Sequence, residues 1–432
     1  MDHTDEFKAD EEYTLALDSE DGLSRFKNRF FIPAGSIYLD GNSLGLLSQD
    51  AEKSVLRSLD EWKKLGIRGW LEAQTPWFYY AEKLGAMAST LVGATPEEVV
   101  VTGTTTVNLH SLVATFYRPQ GTRTKIVADE LNFPTDLYAL QSQIILKGLS
   151  PRQHLILAPS EDGRMLDEQK IVESMNDEVA LVVLPSVLYK SGQLLDMAYL
   201  TREAHERGIP IGFDCSHSVG MIPHRFDEWG VDFAFWCSYK YMNGGPGSTA
   251  FLYINKEHFH FNPAITGWFG YVKEKQFDML PEFIHARSAG GWQISSPAIL
   301  SSAPIEGSLH ILLEAGIELI REKSLKMTSY LMYLVDTLLS KPPYLFSIGT
   351  PREPHRRGGH VAVEREEEAY RISEALRLRG VIPDFRPPNI IRLAPSPLYT
   401  TYHDIWQVVQ YICEIIEKKE YENISPARKA IS

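Results

Sequence analysis

Cysteine is scarce in this chain of 432 residues: Cys215, Cys237 and Cys413 form an odd, sparse set. That is no disulfide framework, and it suits a reducing compartment. No CxxC pair or HExxH run accompanies them, so the close spacing of Cys215 and His217 carries no metal signature, and no metal is expected. No apolar run is long enough to span a bilayer. The opening residues Met1-Asp2-His3-Thr4-Asp5-Glu6 are acidic and lack the apolar stretch of a signal peptide. Internal repeats and low-complexity tracts are absent as well. Glycines cluster at Gly244-Gly245-Pro246-Gly247, but without the spacing or the strand–turn–helix frame of a dinucleotide fingerprint. Basic residues are outnumbered, 43 Lys and Arg against 56 Asp and Glu, for a formal net charge of −13. That balance argues against nucleic acid and anionic membrane as partners, since both are polyanions. The expectation is a cytoplasmic protein.

The composition provides a core: 44% hydrophobic residues beside 23% charged ones, the balance of a globular protein. At this length one core rarely keeps growing, so a large and a smaller domain are expected. Short apolar and β-branched runs at 99–102, 125–128, 155–158, 179–184, 209–214, 233–238 and 248–254 read as buried strands. Helical patterns at 106–117, 135–147, 167–175 and 197–207 fall between them. Such alternation makes βαβ units, hence an α/β fold with a mostly parallel sheet covered on both faces. Beyond about residue 304 the pattern becomes a long helix over 305–339, strands near 360–364 and 390–393, and a closing helix over 403–417. The expected division is an N-terminal arm (1–45) packing with the small domain, a large domain (46–304) and a small α+β domain (305–432). The tail after Glu420 is expected to fray.

In an open α/β sheet, ligands sit at the carboxyl ends of the strands, so polar residues there are candidates for one site. Lys240 stands in Phe235-Trp236-Cys237-Ser238-Tyr239-Lys240-Tyr241, after a strand and before the glycines. Asp214 ends the strand before it, in Phe213-Asp214-Cys215-Ser216-His217. Pyridoxal phosphate chemistry needs an amine that forms a Schiff base and a carboxylate that pairs with a protonated pyridine nitrogen. Thr105 and Thr106 open a helix, where N–H groups and hydroxyls can seat a phosphate; helix capping uses the same residues. Phe133-Pro134-Thr135-Asp136 and Ser186 follow two further strands. Phe133 reads as core or as a stacking surface, and His217 as a core histidine or a site residue. Arg392, in the apolar run Asn389-Ile390-Ile391-Arg392-Leu393, needs an anion: a ligand carboxylate or an acidic side chain of the protein. Trp70, Trp77 and Trp268 either line an aromatic pocket or belong to the core.

Seven pieces together resemble the kynureninase family: Leu39-Asp40-Gly41-Asn42-Ser43-Leu44-Gly45, Thr106-Val107-Asn108-Leu109-His110, Phe213-Asp214 with His217, Trp229-Gly230-Val231-Asp232-Phe233-Ala234, Trp236-Cys237-Ser238-Tyr239-Lys240-Tyr241, Gly267-Trp268-Phe269-Gly270 and Arg392-Leu393-Ala394-Pro395. The resemblance extends from about Tyr38 to about Trp406. It implies a fold-type I pyridoxal phosphate-dependent transferase-like fold, a homodimer with shared active sites, and hydrolysis of L-kynurenine to anthranilate and L-alanine. It further implies a place in the kynurenine pathway, in tryptophan catabolism or NAD biosynthesis. Lys240 would then hold the cofactor covalently and Asp214 would pair with its ring nitrogen. Phe133 would cover the ring, with Pro134, Thr135, Asp136 and His217 beside it. Thr105, Thr106, Tyr239 and Trp268 would hold the phosphate, Trp268 coming from the partner subunit, and Ser296 would lie close by. Arg392 would take the substrate carboxylate, with Asn42, Ser43 and Trp70 around the substrate. Tyr239 would act as general acid or base, its pKa lowered by the donors near the phosphate.

Related cysteine desulfurases and class V aminotransferases share the lysine and aspartate but not the Trp-Cys-Ser-Tyr-Lys-Tyr and Gly-Trp-Phe-Gly runs. They are the alternatives, together with a catalytically silent fold relative. Trp70 and Ser296 stand where animal members of the family carry histidine and asparagine. Both positions resemble bacterial members, which implies a preference for unsubstituted kynurenine over 3-hydroxykynurenine.

Overall fold

Val179–Pro185 is buried along its whole length, as a strand covered on both faces must be. In the computed structural model, which describes residues 7–427, the strands are Ile37–Tyr38 (β1), Val99–Val101 (β2), Lys125–Asp129 (β3), Leu155–Ala158 (β4), Val179–Pro185 (β5), Ile211–Asp214 (β6), Phe233–Trp236 (β7), Phe251–Ile254 (β8), Ser347–Ile348 (β9), Val361–Glu364 (β10), Val381–Ile382 (β11), Asp384–Arg386 (β12) and Ile390–Leu393 (β13). The acidic opening run and the last residues of the tail lie outside the described residues. Seven strands make the main sheet in the order β2-β8-β7-β6-β5-β3-β4. β8 runs antiparallel to both neighbours, and the other pairs are parallel. The expected α/β architecture is therefore present. Parallel neighbours need long crossovers, and helices such as Pro134–Leu146 and Met197–Glu206 supply them.

The helix expected over 305–339 is two helices, Ile299–Ala315 and Ile317–Leu334, the second running into a π-type turn at Val335–Leu339. The break falls at Gly316, whose φ of 78° ends the first helix at no steric cost. Pro304, read as a boundary, lies inside the first helix, where it removes one ladder hydrogen bond near the start. Apolar side chains from Ile305 to Ile320 pack in the core around the main sheet. Those from Met327 onward pack in a second core, with the antiparallel sheet β12-β13-β10-β9 and the helix Tyr402–Glu417.

The N-terminal helix Glu11–Ser19 docks on that second core. Asp18 accepts from the N–H groups of Tyr402 at 2.6 Å and His403 at 3.0 Å, filling the helix start, and Trp406 Nε1 donates to the Ala9 carbonyl at 2.8 Å. The expected fraying does not begin at Glu420: Arg379 pairs with Glu420, and Tyr421 and Ile424 pack against the second core, while the tail beyond Ala427 lies outside the described residues. Among the described residues no helix is long and apolar enough to cross a membrane.

The segment after β1 joins the two sheets. Ala394 N–H donates to the Leu39 carbonyl at 2.9 Å, beside Arg392, and Gly45 N–H donates to the Tyr239 carbonyl at 2.7 Å, beside Lys240. A Cβ at Gly45 would lie 2.4 Å from the Lys240 carbonyl oxygen and 2.3 Å from Asn243 Oδ1, so only glycine fits this approach.

Candidate active site

β6 and β7 are parallel neighbours, so their carboxyl ends bring Asp214, His217 and Lys240 to one edge of the sheet. Two hydrogen bonds lock the strand ends together: Cys215 N–H to the Phe235 carbonyl at 2.8 Å, and Cys237 N–H to Ser216 Oγ at 3.2 Å. Lys240 Nζ then lies 3.0 Å from His217 Nε2. His217 is buried, and its Nδ1 has no hydrogen-bond partner. Burial, reinforced by Lys240, pulls its pKa well below the ordinary histidine value, so the ring stays neutral.

Asp214 Oδ1 accepts from the Ser216 N–H at 2.8 Å. Asp136 reaches it from the first turn of the helix Pro134–Leu146. Burial first, and the Asp214 charge second, push Asp136 far above the carboxylate range; it keeps its proton and donates it in a hydrogen bond to Asp214. Asp129, buried at the end of β3, lies in the same field and is pushed up to about 7 by burial. The edge thus carries three carboxyls, while Lys240 supplies the cationic field felt by Asp136.

Arg392 on β13 is fully buried. Contrary to a guanidinium left free for a ligand, it pairs with Asp384, its register partner on β12. It also donates to the Tyr189 carbonyl at 2.6 Å and to Ser43 Oγ at 3.1 Å. The protein therefore supplies one anion, and Asp384 holds the guanidinium in place. Asn42 is buried beside Ser43 in sequence with neither amide atom hydrogen-bonded, an unusual state for a native side chain.

Thr105 begins the helix Thr105–Phe116, and both it and Thr106 are half-buried. The turn before them is pinned by Asn108, whose Nδ2 donates to the carbonyls of Thr102 at 2.8 Å and Phe251 at 3.2 Å. Thr104, the residue at the cap, makes no side-chain capping bond, so the first-turn N–H groups keep their anion-binding capacity. Phe133 is 43% exposed, and its ring meets that of Tyr189 edge-on at 5.2 Å. Pro134 and Thr135 open the helix that follows.

Trp70, Trp268 and Ser296 are not joined to the Lys240 cluster by any hydrogen bond or ring contact among the described residues. Trp70 packs against Trp77 and Phe269 at 6.0 and 5.9 Å. Trp268 packs on Phe269 and Phe277 and donates to the Gln276 carbonyl at 3.1 Å, and Ser296 is exposed. Tyr239 corrects one expectation. Burial, with Cys237 next, raises its pKa rather than lowering it, so its hydroxyl is a proton donor at neutral pH. Residues that sequence alone did not single out are Asp384, Tyr189, Asp129 and His360, whose ring lies 6.1 Å from His217. Their signals were weak, because each becomes meaningful only through a partner distant in sequence.

All three cysteines are free, and burial raises each thiol pKa, that of Cys413 to about 11, so none is poised as a nucleophile.

Residues 320–412 match the kynureninase C-terminal domain family. The kynureninase of Geobacillus thermodenitrificans is 56% identical over 421 residues, 98% of each chain. That of Bacillus thuringiensis subsp. konkukian is 54% identical over 426 residues, 99% of each. Among solved structures, a cysteine desulfurase from Thermococcus onnurineus matches with a TM-score of 0.77 at 17% identity, over 91% of this chain and 98% of that one. The Escherichia coli cysteine desulfurase CsdA gives 0.76 at 16%, over 92% and 99%. These two likenesses concern the fold and tie the chain to the fold-type I architecture. Identity above one half across practically the whole length is a different order of evidence: the chain belongs to the kynureninase family.

Proposed function

We propose that the protein hydrolyses L-kynurenine to anthranilate and L-alanine with pyridoxal phosphate as its cofactor. The observation that carries this reading is the placement of Lys240 Nζ 3.0 Å from a neutral His217, beside Asp214, in a chain of this family. The residues fit the cofactor. Asp214 and Asp136 together form an anionic seat for a protonated ring nitrogen, Phe133 offers an open aromatic face, and Thr105 and Thr106 offer helix-start donors to a phosphate. The unpartnered Nδ1 of His217 and the unpartnered amide of Asn42 are polar atoms that a bound group would satisfy.

Bound pyridoxal phosphate supplies a carbonyl carbon for covalent capture of an amine and a conjugated ring that takes up electrons from the substrate's α-carbon. The chain does the rest. Lys240 would hold the cofactor, and its free amine would move the proton at the α-carbon. His217, held neutral, accepts a hydrogen bond from Nζ and keeps the amine aimed. Asp136 orients Asp214 through its own proton, fixing the charge opposite the ring nitrogen. Arg392, steadied by Asp384 and the Tyr189 carbonyl, faces the substrate carboxylate together with Ser43. Hydrolysis adds water at the γ-carbonyl and needs a proton at the β-carbon, and the protonated Tyr239 is the donor. The cysteine desulfurase reading is disfavoured because every thiol here has a raised pKa.

The test is to mix purified protein with L-kynurenine and follow anthranilate fluorescence. Lys240→Ala should lose both turnover and the cofactor's visible absorbance; activity retained in that variant would overturn the assignment. Trp70, offering only an indole N–H, supports a preference for unsubstituted kynurenine.

A homodimer with Trp268 contributed across the interface is part of the same proposal. Its support is the exposed apolar surface that includes Ile67 at 80%, Leu71 at 70% and Phe277 at 66% exposure. Sedimentation at micromolar protein should give twice the chain mass. The division into arm, large and small domains, a cytoplasmic location and a place in the kynurenine pathway complete it. Free thiols suit such a compartment.

A further inference from the structure

A cavity of about 450 Å³ lies between the start of the helix Met197–Glu206, residues 222–224 with Trp229, and Arg321 with residues 355–356. Arg321 is buried in its wall, and its guanidinium donates only to main-chain carbonyls: those of Gly358 at 3.4 Å, Pro354 at 2.9 Å and Arg357 at 2.8 Å. Among the described residues no carboxylate pairs with it. Carbonyls satisfy the donors but not the charge, and a buried cation without a counter-charge is costly. Burial, with Arg357 next, pulls its pKa down to about 10.

His224 is also buried in the wall. Its Nε2 lies 2.9 Å from Ser218 Oγ, and its Nδ1 is buried with no hydrogen-bond partner. Ile222, Pro223, Met197 and Trp229 supply apolar sides. The acids stand toward the mouth: Asp196 is exposed and caps the helix at Tyr199 N–H, and Glu168 lies 3.8 Å from Arg356. A buried cation without a counter-charge, apolar walls and an exposed carboxylate at the rim form a polarity that few small molecules match.

We propose that this cavity binds a free α-amino acid with an apolar side chain, its carboxylate inward on Arg321 and its ammonium outward toward Asp196. The proposal is independent of the reaction assigned above. The cavity is nevertheless wired to the active site: His224 meets Ser218, Ser218 Oγ lies 2.8 Å from Ser186 Oγ, and Ser186 donates to the Asp214 carbonyl at 3.0 Å.

The experiment is calorimetric titration of the holoenzyme with L-phenylalanine, 3-phenylpropionate and phenethylamine. The second probe lacks the amine and cannot react with the cofactor; the third lacks the carboxylate. Expected are one site per chain for L-phenylalanine, about tenfold weaker binding of 3-phenylpropionate, and none of phenethylamine. Arg321→Met should weaken L-phenylalanine by about tenfold or more. Ala198→Trp, which fills the cavity from a half-buried position in the first turn of the helix, should abolish the site even if the arginine variant misfolds. Arg392→Met should leave it intact. No saturable binding, binding unchanged in Ala198→Trp, binding lost only in Arg392→Met, or equal binding of phenethylamine would each overturn the proposal.

Discussion

Replacing Asp129 by asparagine should stabilise the protein at alkaline pH, against the usual direction of core substitutions. Asp129 is fully buried, accepts from Leu131 N–H at 2.9 Å and pairs with no cation. Burial pushes its carboxyl from 3.8 up to about 7. The folded protein therefore holds a proton that the unfolded chain has already lost, and stability falls as pH rises from about 4 to about 7. Worked through, the ionised group costs the fold about 4 kcal/mol at pH 8 and about 1.5 kcal/mol at pH 5. Asparagine keeps the acceptor for Leu131 and removes the charge, but buries an amide donor at a cost of about 1–2 kcal/mol. The variant should thus be about 2 kcal/mol more stable at pH 8 and about equal at pH 5. The change between the two pH values, about 2.5 kcal/mol, is free of the amide's cost. Urea unfolding at fixed protein and cofactor concentration measures it. A gap that does not move with pH, or a variant weaker at pH 8, would refute the reasoning.

Gly45→Ala should cost about 1–3 kcal/mol and depress kcat/KM, because the new methyl group meets the main chain at Lys240; an unchanged Tm would show that the contact relaxes freely. Tyr239→Phe should keep the cofactor's visible absorbance while losing about 10²–10⁴ in rate, and a fully active variant would remove the tyrosine from the proton transfer. For substrate choice, kcat/KM with 3-hydroxykynurenine should not exceed that with kynurenine. A clear excess would mean that a hydroxyl-binding group exists near Trp70.

The parts of the site readable from sequence were those whose chemistry and local setting coincide. Lys240, Asp214 and Asp136 each follow an apolar strand, and parallel neighbours bring such strand ends together without further information. Arg392 was readable only halfway: an arginine in the run Ile390-Ile391-Arg392-Leu393 demands an anion, but its identity is set by the register of β12 on β13, which places Asp384 opposite. Asp384 itself looks like an ordinary turn acid. The misread helix has the same origin. The apolar pattern continues across Gly316, so periodicity could not find the break, and Pro304, a natural boundary signal, lies within the first helix.

The tyrosine at position 239 shows why direction matters more than presence. Sequence placed a phenol beside the lysine and assumed that nearby donors would make it acidic. Burial acts in the opposite sense on a group that ionises to an anion, and Cys237 beside it adds to the same effect. The same burial keeps His217 neutral and Asp136 protonated. One strand edge therefore assigns three protonation states at once: a histidine without a second proton, a carboxyl that keeps its proton, and a phenol that stays protonated until it gives its proton up. If that is the design, widening the pocket to water should loosen all three together. An enlarging change such as Phe133→Ala should then shift the pH profile of kcat/KM on both limbs, whereas loss of a stacking surface alone would change cofactor affinity and leave the profile where it was.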